Sequence, residues 1–336
     1  MSAEFSGGRP EDGPVGIRPL VPVGPRRAAV GLHTAGKVGS MTDHPTAPPA
    51  APPAAPPAAG TGQPATVADC VAALEDAYPP GFAESWDAVG LSVGEPGAEV
   101  RRVHFAVDPT VEVAAEAVAL GAGLLVTHHP LFLRGVHGVA TTTAGGRVVT
   151  TLIRAGAALF TAHTNADVAC RGVNDALAAA LGLADVRPLA EGRDSPGLGR
   201  VGELPATEPL SAFCARVAGA LPATATGVRA TGGPDRLVRR VAVCGGSGGE
   251  LASAAAAAGA DVFLTADGRH HHVLDAVAAL PVTIVDVAHW ASEWPWLDYA
   301  AERLSSALAA RGRTVVTSVS TVVTDPWRLH LPQPGG

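Results

Sequence analysis

Gly121-Ala122-Gly123-Leu124-Leu125-Val126-Thr127 runs into His128-His129-Pro130, and Gly259-Ala260-Asp261-Val262-Phe263-Leu264-Thr265 runs into Ala266-Asp267. Each stretch is a glycine that can close a helix, then a short apolar run that reads as a strand buried on both faces. Working outward, the neighbours correspond too. Upstream lie a strand and a helix, Val103–Val107 and Val111–Leu120 in the first copy, Leu237–Cys244 and Gly249–Ala258 in the second. Downstream lie a helix and a strand, Arg147–Ala155 with Ala158–Ala162, and Val273–Ala279 with Val282–Val285. Ala162-His163-x-x-x-Asp167 then matches Ala288-His289-x-x-x-Glu293. Alternation of strand and helix predicts parallel sheets. The paired motifs predict a duplicated α/β unit with one site between the copies.

The rest of the chain is assigned around these copies. Residues 1–64 are rich in Pro, Gly and Ala, a composition too poor in apolar bulk to offset the entropy of ordering, and are expected to be disordered. Residues 65–184 form the first repeat. It opens with a helix over Val67–Tyr78, passes through a loop at Trp86–Leu91, and ends with a helix over Gly172–Leu181. Residues 185–236 read as a Gly- and Pro-rich connecting segment with one helix at Leu210–Ala220. Residues 237–336 form the second repeat, closing with a helix at Trp296–Ala310 and a strand at Thr314–Val319.

The composition narrows the function. The 336 residues are 47% hydrophobic and only 4% aromatic, so Ala, Val and Leu must build the core. The net charge is −7 and Lys37 is the only lysine, which argues against a nucleic-acid footprint. Cys70, Cys170, Cys214 and Cys244 show no Cys-x-x-Cys spacing, so reduced thiols in a cytoplasmic protein are expected rather than a disulfide framework or thiolate zinc. No apolar run approaches the length of a membrane span.

Ligands of open α/β sheets bind outside the carboxyl ends of the strands. His128, His129, His163, Asp167, Asp267, His289 and Glu293 all fall at or just after such ends. Imidazoles with carboxylates suit zinc, manganese or iron, and adjacent side chains on an extended chain point to different sides, which suits two ions better than one. Pro295 and a possible N-cap at Ser292 suggest that His289 and Glu293 straddle a helix start. His163 either orients a ligand or is a hydrogen-bonded strand-end histidine. Asp108 and Asp267 either hold imidazoles or cap loops. Asn174 reads as a helix cap. Gly245–Gly249 either cradles a phosphate or makes a tight turn, and the turn is the better reading because no Walker lysine follows.

Trp86-Asp87-x-x-Gly90-Leu91, Asp108-x-Thr110, Thr127-His128-His129-Pro130, His163-Thr164-Asn165-x-Asp167, Gly172-Val173-Asn174-Asp175, Gly245-Gly246-Ser247-Gly248, Thr265-x-Asp267 with His271, and His289-x-x-x-Glu293 together resemble the GTP cyclohydrolase I type 2 homologues, also called Nif-three-like dinuclear metal-centre hexameric proteins. The likeness runs from about Val67 to Val322. It implies two interlinked α/β lobes and a homohexamer in the compact form, without an inserted middle domain. It also implies two divalent ions per subunit on residues matching His128, His129, Asp167, His289 and Glu293, with His271 facing the pocket. Two positions depart from the family pattern: Ala88 stands where Asn is usual, and Ala266 where Gly is usual. The family name implies ring opening of a nucleotide, while the same metals would serve phosphoester hydrolysis, and no residue chooses between them. The competing expectation is a non-catalytic metal-binding adaptor or metal-trafficking ring.

Overall fold

Two parallel ladders, one from each repeat, form the centre of the molecule. In the first, Arg102–Ala106, Leu124–Thr127 and Ala158–Thr161 lie side by side. In the second, Leu237–Val243, Val262–Ala266 and Thr283–Val287 do the same. The computed structural model describes residues 63–192 and 195–331. Correspondence between the copies reaches the sheet edges. Gly90–Val93 precedes the first ladder and returns antiparallel to Ala158–Thr161, just as Arg229–Ala230 precedes the second and returns antiparallel to Thr283–Val287.

The lobes are interlinked. Val316–Val319, near the end of the chain, pairs in parallel with Arg102–Ala106 and completes the first sheet. Gln63–Thr66 joins Glu99–Val100 to Arg313–Thr314 in a small third sheet. That strand begins inside the expected tail; the rest of the tail lies outside the described residues.

Side-chain alternation along the strands sorts the cores. Val103, Phe105, Leu124, Val126 and Phe160 face a large core that also holds Val241, Val243, Val262, Leu264 and Val285 of the second sheet. Helices Val67–Ala77, Val173–Ala180 and Trp296–Ala310 contribute Leu74, Leu177, Trp296 and Leu304 to this core. Residues one step along, such as Leu125 and Leu159, face outward onto helices Val111–Ala119 and Ala144–Ala155. Phe263 and Ile284 do the same on the far side of the second sheet.

Helix starts follow local hydrogen-bonding chemistry. Thr66 and Asp69 cap the helix at Val67 reciprocally. Thr143 accepts from the Gly146 amide, which starts that helix at Ala144, three residues before the sequence reading placed it. The connecting segment is more ordered than its composition suggested. Ala184–Ala190 and Leu198–Pro209 are antiparallel strands that extend the second sheet. Gly202 serves close packing there, since a Cβ would lie 2.7 Å from the Ala184 carbonyl oxygen.

All four cysteines are free thiols. No helix among the described residues is long and apolar enough to cross a membrane.

Arg200, on the strand Leu198–Pro209, ties that sheet to the first repeat. Its side chain is 3% exposed; Nε and Nη2 grip Asp175 at 2.5 and 3.1 Å, and Nη1 donates to the carbonyls of Gly197 and Gly199. Asp175 retains contact with water, so the loss on removing the arginine belongs at the low end for a buried pair. Arg200→Ala is expected to cost about 3 kcal/mol, read as a fall in the urea midpoint with unchanged slope; a shift within error would show that the latch is not needed.

Candidate metal centre

His128 and His129 sit where they do because their amides continue the parallel ladder one step past the strand, donating to the carbonyls of Ala106 and Val107. His163 and Asp167 come from the turn after Ala158–Thr161 and the one-turn helix Thr164–Val168. His289 and Glu293 come from the equivalent helix His289–Glu293 of the second repeat. The six side chains meet at the carboxyl ends of both sheets. His289 and Glu293 do not straddle a helix start; they share one turn, with His289 Nε2 2.9 Å from Glu293 Oε1. Ser292 is not a cap: its hydroxyl donates to the His289 carbonyl and accepts from the Gly246 amide.

The Glu293 carboxylate lies between imidazoles from both repeats. His128 Nε2 is 3.4 Å from Oε1, and His129 Nε2 is 3.1 Å from Oε2. Asp167 Oδ1 is 3.6 Å from His128 Nε2. His163 packs against both neighbouring rings, with centroids 5.2 Å from His128 and 5.4 Å from His129.

Each ring is held from behind. Nδ1 of His128 donates to the Ala162 carbonyl at 3.0 Å, that of His129 to Asp108 at 2.7 Å, that of His163 to Asp87 at 2.8 Å, and that of His289 to Asp267 at 2.7 Å. All four Nε2 atoms are thereby left available to a ligand, the arrangement that fixes tautomer and orientation in metal sites. Asp108 and Asp267 are ring holders. Asp87, quoted in the sequence motif but given no role, is another. It also accepts from the amide and hydroxyl of Thr164, and its distance from His163 along the chain hid the pairing. His163 itself lies within the cluster: its ring nitrogen groups with those of His128 and His129. His271 does not join them; it is exposed in the first turn of the helix His270–Ala279, against His270.

Two backbone features hold the halves in register. Asn174 is buried and is not a cap; its amide nitrogen donates to the Asp167 carbonyl, and its oxygen accepts from the Gly245 amide. Gly246, in the left-handed region at φ +63°, lets the chain pass over the site, since a Cβ would lie 2.4 Å from Glu293 Oε1 and 3.0 Å from His289 Nε2. The glycine run is thus a close-approach turn.

Charge in the cluster is strongly coupled. Burial opposes ionisation of Glu293, but His129, His289 and His128 outweigh it and hold the carboxyl well below its usual range. Burial likewise opposes the His129 imidazolium, yet Glu293 and Asp108 raise it to about 10. Glu293 raises His289 to about 11 against burial, with Asp267 adding. Asp167 is raised by burial.

His128 Nε2 and Asp167 Oδ1 are buried and have no hydrogen-bond partner, and Glu293 Oε2, 3.1 Å from His129 Nε2, has none of good geometry. Buried polar atoms almost always have one, and these three face the same space. Two sets, His128 with His129 and His163, and His129 with His289 and Glu293, bring their donor atoms within 4.8 Å of one another and could each hold a metal ion. A cleft of about 500 Å³ opens beside them, lined by His129, His163 and His289, and by Arg229, Asp325 and Trp327.

A sequence model of the family described as Duf34/NIF3 (NGG1p interacting factor 3) matches residues 65–326. A Streptomyces coelicolor protein named GTP cyclohydrolase 1 type 2 homolog is 53% identical over 271 residues, covering 79% of this chain and 94% of that protein. A Mycobacterium tuberculosis protein of the same name is 38% identical, covering 78% and 97%. Among solved structures, a hypothetical protein of Staphylococcus aureus aligns with TM-score 0.74 at 29% identity, covering 80% of this chain and all of that one. A Bacillus cereus protein related to NIF3 aligns with TM-score 0.73 at 26% identity, with the same coverage.

Gly246→Ala and Gly121→Ala separate backbone strain from crowding, because both glycines have positive φ but a Cβ at Gly121 meets nothing within 4 Å. Gly121→Ala is expected to cost about 1–2 kcal/mol, and Gly246→Ala distinctly more, in denaturant titrations. Equal losses would show that the Gly246 loop yields without disturbing Glu293.

Proposed function

Since the chain belongs to the Duf34/NIF3 family, we propose that it holds two divalent ions and acts as a metal-dependent hydrolase on a nucleotide or phosphoester. The observation that carries this reading is the set of buried atoms, His128 Nε2 and Asp167 Oδ1 without a partner and Glu293 Oε2 beside the His129 imidazole, gathered where a cation would satisfy them. His128, His129, Asp167, His289 and Glu293 are the proposed ligands, with His163 as a sixth donor. Nitrogen and carboxylate donors fit zinc, manganese or iron. When bound, such a pair supplies Lewis acidity toward a substrate oxygen. The chain's own residues do the positioning: Asp87, Asp108 and Asp267 hold three rings from behind, and Glu293 reaches imidazoles of both repeats. Arg229, on the cleft wall and hydrogen-bonded to Asp286, offers a cation to a phosphate.

The proposed assembly is the homohexamer that the resemblance implies, and the proposed compartment the cytoplasm. A second reading, a metal-holding adaptor without turnover, is favoured by the family's description as an interacting factor. Metal analysis of the purified chain with a panel of nucleotides and phosphodiesters separates the two, and light scattering on the same sample gives the subunit count. About two ions per subunit are expected in the wild type, with Glu293→Ala losing metal and any turnover while remaining folded. A wild type that takes up no zinc, manganese or iron, or a variant that keeps both ions, would overturn the reading.

Metal uptake should also release protons. His129 and His289 have raised pKa values, about 10 and 11, so both are protonated in the metal-free protein at neutral pH. A metal requires them neutral. Apparent affinity is therefore expected to climb with pH between 6 and 9, roughly as these protons become easier to displace. Calorimetry in buffers of different ionisation enthalpy measures the release, and zero protons released at pH 7.5 would exclude these imidazoles as ligands.

A further inference from the structure

Four carboxylates line the cleft, and three of them are committed. Asp108 accepts from His129 and Thr324, Asp267 from His289, and Asp286 from Arg229 and the Gly268 amide. Asp325 is different. The residue is 3% exposed, and its Oδ2 has no hydrogen-bond partner. Two residues further on, Trp327 lines the same cleft yet is 68% exposed, an indole presented on a wall that mixes Leu133, Val287 and Trp290 with the carboxylates and imidazoles.

We propose that Asp325 and Trp327 form the ligand-reading wall of the cleft and select a planar nitrogen heterocycle that presents an N–H edge, as a nucleobase does. This rests on reading the neighbouring cluster as the reactive centre, and it adds which part of the substrate is recognised and by what. An unsatisfied buried carboxylate oxygen calls for a donor. A lone ammonium or metal would meet that need but would leave the exposed indole idle; a planar group with an N–H edge uses both. Stacking on an aromatic ring tolerates any flat base, whereas the carboxylate accepts only a donor, so Trp327 contributes affinity and Asp325 contributes selection. The cleft, about 500 Å³, is of the size that takes a small molecule. Arg229, paired with Asp286 on the same wall, places a positive charge beside an anionic substituent on such a ligand. Burial raises the Asp325 carboxyl, against the Trp327 amide and Arg328, which accords with an oxygen still lacking a donor.

The test is binding to the full, metal-loaded chain, followed by tryptophan fluorescence and calorimetry, with guanosine, 1-methylguanosine and ribose 5-phosphate as probes. Guanosine is expected to bind at least tenfold more tightly than the methylated base, which lacks the ring N–H, or the sugar phosphate, which lacks a base. Asp325→Asn removes the charge and replaces one of the two acceptor oxygens with a donor at nearly constant shape, and should weaken guanosine at least tenfold. Trp327→Ala should do so by about tenfold or more, and Trp327→Phe should restore much of the loss. Both positions should leave metal content unchanged. The proposal is overturned if ribose 5-phosphate binds as tightly as guanosine, if Asp325→Asn leaves guanosine affinity unaltered, or if Asp325→Asn strips the metal and so proves structural. Phosphodiester turnover without nucleoside binding would sink this inference and spare the hydrolase reading; nucleoside binding without turnover on any substrate would do the reverse.

Discussion

A carboxylate buried as deeply as Glu293 costs several kcal/mol to desolvate unless positive charge is close by. His129, His289 and His128 supply that charge, and they come from both repeats. Much of the surrounding architecture follows from keeping this group in place. Gly246 must lack a side chain, because a Cβ would collide with the Glu293 carboxylate. Ser292 pins the Gly246 amide to the one-turn helix that carries Glu293. Asn174 bridges the Asp167 turn to the Gly245 turn, so the two strand ends cannot drift apart. The backbone around the centre is thus tied across the seam, and the seam is where the unsatisfied atoms gather.

The duplication explains why a single site forms rather than two. Equivalent strand ends supply His163 and Asp167 in one repeat and His289 and Glu293 in the other, each pair at a five-residue helix that His163 precedes and His289 begins. The ring holders correspond in function, with Asp87 behind His163 and Asp267 behind His289. The symmetry breaks at the neighbouring strand. There the first repeat carries the adjacent imidazoles His128 and His129, while the second carries Ala266 and Asp267, of which Asp267 is a ring holder. One repeat therefore supplies most of the nitrogen donors, and the other the carboxylate that spans them. Neither repeat alone offers the full constellation, which makes the shared core between the sheets a requirement of the site as well as of the fold.

What could be read from sequence follows the same logic. The central parallel strands are continuous apolar runs, and their ends carry ionisable residues that have no reason to sit there unless they meet something; hence the ladders and most of the cluster were legible. Strands Ala184–Ala190 and Leu198–Pro209 were not, because the glycines that permit their close packing look the same in sequence as glycines that make loops. Pro295 misled in a related way: it ends one short helix and begins the next, where the reading had placed the start of a helix between His289 and Glu293. His271 followed the family pattern in sequence but stands on an exposed helical turn. Asp87 and Arg229 act on groups far away in the chain, and no local pattern announces such partnerships.

The positions of these residues also bear on how the centre relates to folding. In a structural zinc domain the metal replaces a core, so the chain unfolds without it. Here large apolar clusters are complete without any ion, and the candidate ligands lie at strand ends with their rings already oriented by Asp87, Asp108, Asp267 and the Ala162 carbonyl. In the metal-free protein, protons on His129 and His289 do part of a cation's work by neutralising Glu293. On the proposed reading, loading would exchange protons for metal within a preformed frame, and His128 Nε2 and Asp167 Oδ1 would gain most, since no proton-sharing partner satisfies them beforehand.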